Sequence, residues 1–274
     1  MSFSVYYYYM ELTQPNLSQT SRTTGSTVTT ISPTQILPES SFKDELKNYI
    51  KPFKKNGPAN DSNFPKTPEN VKGLMLSNKN IGDKEMTIIS NQWTKNSTIS
   101  ALFLANNQLG VASMNLLVQM LAKNQVVKHL ILTGNQITDF AVAALADLLK
   151  VNHFIGWVVL NKTGITDRGA EKLAEALKKN KGIIHLILSD NDIGSEGISE
   201  IVTALKDHPK IQSLFLKGNP IGDKGIKSIL QFIKKNKTLK TLDLRDIQPI
   251  SKSLILDLKI LTKEKNIRLL LSSN

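Results

Sequence analysis

Leucine returns at a fixed interval through most of this chain. Leu76, Leu104, Leu132, Leu160, Leu188, Leu216 and Leu244 lie 28 residues apart without a break. Two residues earlier stand Leu74, Leu102, Leu130, Val158, Leu186, Leu214 and Leu242, and five residues earlier Val71, Ile99, Val127, Ile155, Ile183, Ile211 and Leu239. Alternation at period two predicts a short strand with the register leucines turned inward. A turn position follows at Ile81, Leu109, Ile137, Ile165, Ile193 and Ile221. Then apolar residues recur at helical spacing, as in Ala170, Leu173, Ala174 and Leu177. Asp83, Asp139, Asp167, Ser195 and Asp223 precede these runs as N-cap candidates, with Val111 the exception. Asn96, Asn124, Asn152, Asn180 and Asn236, with His208 in the remaining copy, stand where each helix ends, as C-caps able to adopt left-handed backbone. Each period therefore predicts strand, turn, helix and return loop.

The pattern weakens at both ends. Residues 1–41, rich in Ser, Thr, Gln and Pro, show neither period and predict a disordered tail, although "YYYY" at Tyr6 to Tyr9 could pair elsewhere. Phe42, Leu46, Tyr49, Ile50 and Phe53 share one side of a predicted helix that Pro52 disturbs; with the following loop, residues 42–67 form the expected N-terminal cap. The repeats occupy 68–248. Residues 249–274 supply a last helix and a partial eighth strand, Ile267 and Leu270 continuing the register of Leu239 and Leu242, as a C-terminal cap.

Written from this sequence, the unit "IIHLILSDNDIGSEGISEIVTALKDHP" resembles leucine-rich repeats of the ribonuclease-inhibitor type. The resemblance implies an α/β fold: a right-handed horseshoe-shaped solenoid, a parallel sheet on its concave face and helices on its convex face. It also implies an asparagine three residues past the last strand leucine, bonded to the backbone of the turns. Asn107, Asn135, Asn191 and Asn219 match; Lys79, Thr163 and Ile247 depart, and Thr163 is the internal departure.

If the register leucines face the core, the residues between them face the hollow. The central column is then Met75, Phe103, Ile131, Val159, Ile187, Phe215 and Asp243. Gly73, Ala101, His129, Trp157, His185, Ser213 and Thr241 precede it; Ser77, Ala105, Thr133, Asn161, Ser189, Lys217 and Arg245 follow it. Six of the seven central residues are apolar. Exposed, they would form a stripe about 25 to 30 Å long and approach about 500 Å², a large patch for a monomer. Three explanations stand: β-propensity alone, coverage by the tail or a second copy, or a protein partner. The last is taken forward, with Met75, Phe103, His129, Ile131, Trp157, Val159, Asn161, His185, Ile187, Phe215, Lys217 and Arg245 as the contact set.

Composition narrows the chemistry. The chain has 274 residues, no cysteine and a net charge of +12. Absence of cysteine removes disulfides, thiolate metal sites and cysteine nucleophiles. No apolar run approaches the roughly 20 residues of a membrane span, and the first residues lack the pattern of a secretory signal. His129 and His185 flank Trp157 with backbones about 10 Å apart, awkward for one metal ion. No nucleophile, acid and base are assembled by any recognisable motif, so neither an enzyme nor a cofactor or metal site is expected. Residues 1–41 hold Arg22 against Glu11 and Glu39, leaving +13 on the rest. Lys95, Lys123, Lys178, Lys179, Lys234 and Lys235 at helix C-termini answer the helix dipole and account for much of that excess. Nucleic acid or an anionic membrane surface is the weaker alternative partner.

The resemblance implies a recognition module, a class that includes inhibitors, sensors, scaffolds and bacterial effectors. The Lys, Asn and Ile bias and the Ser/Thr-rich tail resemble an effector translocated from an intracellular bacterium into a host cytosol; the expected location is cytoplasmic. Ran GTPase-activating proteins resemble the same repeat type, which makes GTPase regulation an alternative, although their acidic tail is missing here.

Overall fold

A computed structural model describes residues 50–52, 72–95, 97–247 and 250–272. Sixteen elements alternate along the described chain: β1 Ile50–Pro52, β2 Lys72–Met75, α1 Asp83–Trp93, β3 Ile99–Phe103, α2 Val111–Ala122, β4 His129–Ile131, α3 Thr138–Val151, β5 Trp157–Val159, α4 Asp167–Lys179, β6 His185–Ile187, α5 Ser195–Leu205, β7 Ser213–Phe215, α6 Gly222–Lys235, β8 Thr241–Asp243, α7 Lys252–Glu264 and β9 Arg268–Leu270. One sheet takes the strands in sequence order. From β2 to β9 every pair is parallel, so each strand lies beside its counterpart one repeat on.

Strand spacing and the helical layer follow from the apolar pattern. The register leucines from Leu76 to Leu244 are at most 1% exposed, and so are all six turn positions from Ile81 to Ile221. These residues join the inner faces of the helices in one continuous core. Truncating one of them to alanine would cost about 2 to 5 kcal/mol.

Two expectations at the ends change. Ile50–Pro52 is a strand antiparallel to β2, with Ile50 opposite Leu74, and does not continue a helix to Phe53. An edge strand tolerates proline because it has an unpaired side. Residues 42–49, the rest of that predicted helix, lie outside the described residues. At the other end the predicted helix and strand are present, but Leu269 pairs with Leu242 and Leu270 with Asp243. The final unit is therefore one residue short, shifting the pairing of β9 by one.

Polar side chains tie each repeat to its neighbours in two directions. Asn191 donates from Nδ2 to the carbonyls of Leu160 and Leu188 at 2.7 and 3.0 Å, while its Oδ1 accepts from the N–H groups of Thr163 and Ile165 at 3.0 and 3.2 Å. Asn107 and Asn135 make the corresponding bonds. A second set lies at the helix ends. Asn180 donates to the carbonyls of Leu149 and Asn152 at 2.7 and 3.0 Å and accepts from Gly182 and Ile183 at 2.8 and 2.9 Å. This corrects the expected C-cap mechanism: Asn152, Asn180 and Asn236 have extended backbone, so their amides and not left-handed dihedrals close the helices. Asn96 lies outside the described residues.

The predicted N-cap aspartates are also reassigned. Asp83 and Asp167 are the first residues of their helices, and Asp139 and Asp223 the second. Their carboxylates reach the next helix. Asp139 Oδ1 accepts from the N–H groups of Thr166 and Gly169 at 2.9 and 3.0 Å, and Asp167 Oδ1 from those of Gly194 and Gly197 at 2.6 and 2.9 Å. Glycine is required at the receiving position, since a Cβ on Gly197 would stand 2.5 Å from Asp167 Oδ1.

Candidate functional site

The sheet register brings the three predicted columns together. Met75, Phe103, Ile131, Val159, Ile187, Phe215 and Asp243 pair strand to strand, as do Gly73, Ala101, His129, Trp157, His185, Ser213 and Thr241. The central side chains belong to an apolar cluster of their own, separate from the core beneath the helices. Phe103, Ile131, Val159 and Ile187 form it with Ala101 and Ala105; Met75, Trp157 and Phe215 pack at its margin. Room for Phe103 comes from Gly73, where a Cβ would lie 2.8 Å from the ring.

The central column does not form an exposed stripe. Phe103 is 1%, Ile131 0%, Ile187 4% and Val159 6% exposed, and only Met75, Trp157 and Phe215 are half-buried. Coverage by the tail, one of the explanations above, concerns residues outside the described ones.

Trp157 sits between two imidazoles. Its ring centroid is 5.0 Å from that of His129 and 4.1 Å from that of His185, both at steep interplanar angles. His185 Nδ1 lies 2.9 Å from Ser213 Oγ, and His129 Nδ1 lies 3.4 Å from the Ser100 carbonyl. Burial pushes the His129 imidazole down to about 4 and that of His185 to about 3, because a charged ring loses its hydration there. Both rings are therefore neutral at pH 7. Both are buried beside Trp157.

The polar members of the contact set are committed within the chain. Asn161, 3% exposed, accepts from the Ser189 N–H at 2.9 Å. Arg245 binds Asp243 through Nε at 2.9 Å and Nη2 at 2.6 Å, and Asp243 is completely buried. That pairing explains the one acidic residue in an apolar column: a buried carboxylate needs a charged donor. Lys217 Nζ lies 3.1 Å from Asp246.

One recurring position escaped the sequence reading. Two residues past the last strand leucine, Asn78, Asn106, Gly134, Lys162, Asp190, Gly218 and Asp246 all have positive φ, between 52° and 70°. The clue was the recurrence of Asn, Gly and Asp, the residues that tolerate this conformation. Lys162 is the exception.

Residues 123–146, 179–202 and 207–230 each match a family model described as Leucine Rich repeat. No curated protein matches the sequence. Among solved structures, the leiomodin-1 actin-binding site 2 is 23% identical with a TM-score of 0.45, covering 53% of this chain and 85% of its own. An internalin from Listeria monocytogenes str. 4b F2365 is 20% identical with a TM-score of 0.46, covering 69% of this chain and 51% of its own. The three matched segments fall inside one unbroken array of parallel strands and helices, an α/β solenoid that carries leucine-rich repeats.

Proposed function

We propose that this protein is a non-enzymatic interaction module that engages a protein partner through its concave face. A single observation carries the reading: an apolar cluster on the sheet face opposite the helices, separate from the core that holds the solenoid together. The helices cover one apolar face of the sheet. A second one, with Trp157 and Phe215 at its margin, has the aromatic composition of an interface centre. Lys217 and Arg245 already bind carboxylates of the chain, so recognition rests mainly on the apolar members.

The test uses the full chain. Trp157→Ala with Phe215→Ala is expected to keep the melting transition cooperative and to weaken binding of a partner, identified by affinity enrichment and then purified, by about a hundredfold or more. Unchanged affinity in a folded double variant would remove the concave face from the reading.

A further inference from the structure

Along α4 the outward stripe is Arg168, Lys172, Glu175 and Lys179, each three or four residues from the last and so on one side of the helix. One repeat earlier the same positions hold Phe140, Ala144, Asp147 and Val151, and one earlier again Ala112, Leu116, Gln119 and Lys123. The charge of the helical face is thus interrupted at α2 and α3, which pack side by side. Phe140 is 82% and Val151 68% exposed, and Val111 and Phe154 are about half exposed. No residue of α2 from Val111 to Ala122 carries a charge. Asp147, the charged member of the α3 stripe, holds Lys150 at 2.8 Å. Val111, Phe140, Val151 and Phe154 belong to neither apolar cluster of the described residues, so the fold makes no use of them. We infer that this face docks a second copy of the chain, α3 against α3 in antiparallel sense about a two-fold axis.

Three observations select a second copy. The first is area. Phe140 alone exposes about 150 Å². With its three apolar neighbours and the uncharged positions between them, the face comes to roughly 700 Å², close to the about 800 Å² that each partner gives to a standard interface. The second is self-complementarity, which a two-fold contact demands. The stripe is bulky and apolar at both ends, at Phe140 and Val151, and small in the middle, at Ala143 and Ala144. Its ends lie about 16 Å apart along the helix. Turned end for end, Phe140 of one chain falls between Val151 and Phe154 of the other, and Asp147 falls over Ala144 instead of over its own counterpart. An antiparallel pair also opposes the two helix dipoles. The third is charge. A chain of net charge +12 repels its own copy. The α3 stripe has no lysine or arginine, whereas the same positions hold Arg168, Lys172 and Lys179 in α4 and Lys224 and Lys235 in α6. This face lies on the helical side of the sheet, so a dimer leaves the concave face open and the two readings stand or fall separately.

Sedimentation of the full chain between about 1 and 100 µM should show the average mass rising toward that of two chains. Phe140→Glu, a change at an almost fully exposed site, should keep the melting transition and weaken self-association at least about a hundredfold. A chain that stays monomeric throughout would overturn the inference. So would a Phe140→Glu variant that associates as before, which would move the contact to another face. The arrangement is read with introduced cysteines, since the chain has none of its own. Under mild oxidation, Phe140→Cys mixed with Val151→Cys should form an intermolecular disulfide about tenfold faster than either variant alone, because only the mixed pair brings two Cβ atoms within reach. Faster pairing of Phe140→Cys with itself would make the helices parallel and overturn the antiparallel contact. Trp157→Ala with Phe215→Ala should leave the association unchanged; its loss in that variant would assign the contact to the concave face and overturn the inference.

Discussion

The Thr163 carbonyl accepts the N–H of Thr138 at 3.0 Å, and Thr138 carries φ of +54°. The same irregularity occurs once more, at Gly222 with φ of +62°. These are the two turns whose following repeat lacks the ladder asparagine, Thr163 and Ile247 standing in its place. Where the asparagine is present, the corresponding residues Gly82, Gly110, Thr166 and Gly194 have extended backbone. An acceptor missing from one repeat therefore alters the helix start of the repeat before it. Gly222 takes this conformation freely, whereas β-branched Thr138 is strained.

Thr163→Asn should relieve that strain. An amide at this position would accept from Asn135 and Ile137, as Asn191 does from Thr163 and Ile165. The gain expected is about 1 to 2 kcal/mol, part of it from returning Thr138 to negative φ. Urea unfolding measures the first effect and backbone scalar coupling at Thr138 the second. A variant of lower stability with φ still positive would refute the link.

Lys162 occupies the left-handed position that Asn, Asp or Gly fill in the other six repeats. Lys162→Gly is expected to raise stability by about 1 kcal/mol, since glycine has no steric penalty there. Thermal unfolding at fixed pH tests this, and a fall in melting temperature would mean that the lysine side chain contributes more than its backbone costs.

Loss of Asp167 should be felt in the next repeat. Asp167→Ala leaves the N–H groups of Gly194 and Gly197 without their acceptor at the start of α5. A cost of about 1 to 2 kcal/mol is expected, as for loss of an N-cap. Hydrogen exchange should quicken most at the first turn of α5. Equal or greater loss of protection in α4, the residue's own helix, would contradict the capping role.

Acid should loosen the molecule through three imidazoles. Burial lowers His129 and His208 to about 4 and His185 to about 3, from an ordinary 6.5. A histidine whose pKa is depressed by folding binds protons more readily when unfolded. Its contribution is complete above about pH 6.5 and declines as pH falls toward 4. Within that window stability should drop, and Trp157 emission should change because His129 and His185 border the ring. His208→Asn should lessen the drop: the asparagine would take the place that Asn180 and Asn236 hold in their repeats. Urea unfolding at pH 7 and pH 5 gives the comparison, and an identical pH dependence in the variant would exclude His208 from it.

Periodicity alone made the array legible. The spacing of the leucines placed Leu160 in the core, Val158 in a leucine slot and Trp157 beside Val159 on the other face, and the sheet register agrees. Burial on the concave face was not legible, because alternation reports which way a side chain points and not what lies above it. The capping roles were misread for a related reason. Asp167 and Asn180 stand beside helix ends in the sequence, but their partners lie in adjacent repeats, 27 to 31 residues away. The shifted register of β9 came from a deletion of one residue, which a spacing rule extends past without notice.

The two ladders run in opposite senses along the chain. Carboxylates reach forward, Asp167 closing the start of α5; amides reach back, Asn191 completing the turn at Ile165. A single 28-residue unit excised from the middle would therefore lack a carboxylate from its predecessor and an amide from its successor. Its smallest self-sufficient context is a triplet, and an engineer grafting repeats from this chain should move them in threes, discarding the outer two only when the new neighbours supply an aspartate on one side and an asparagine on the other.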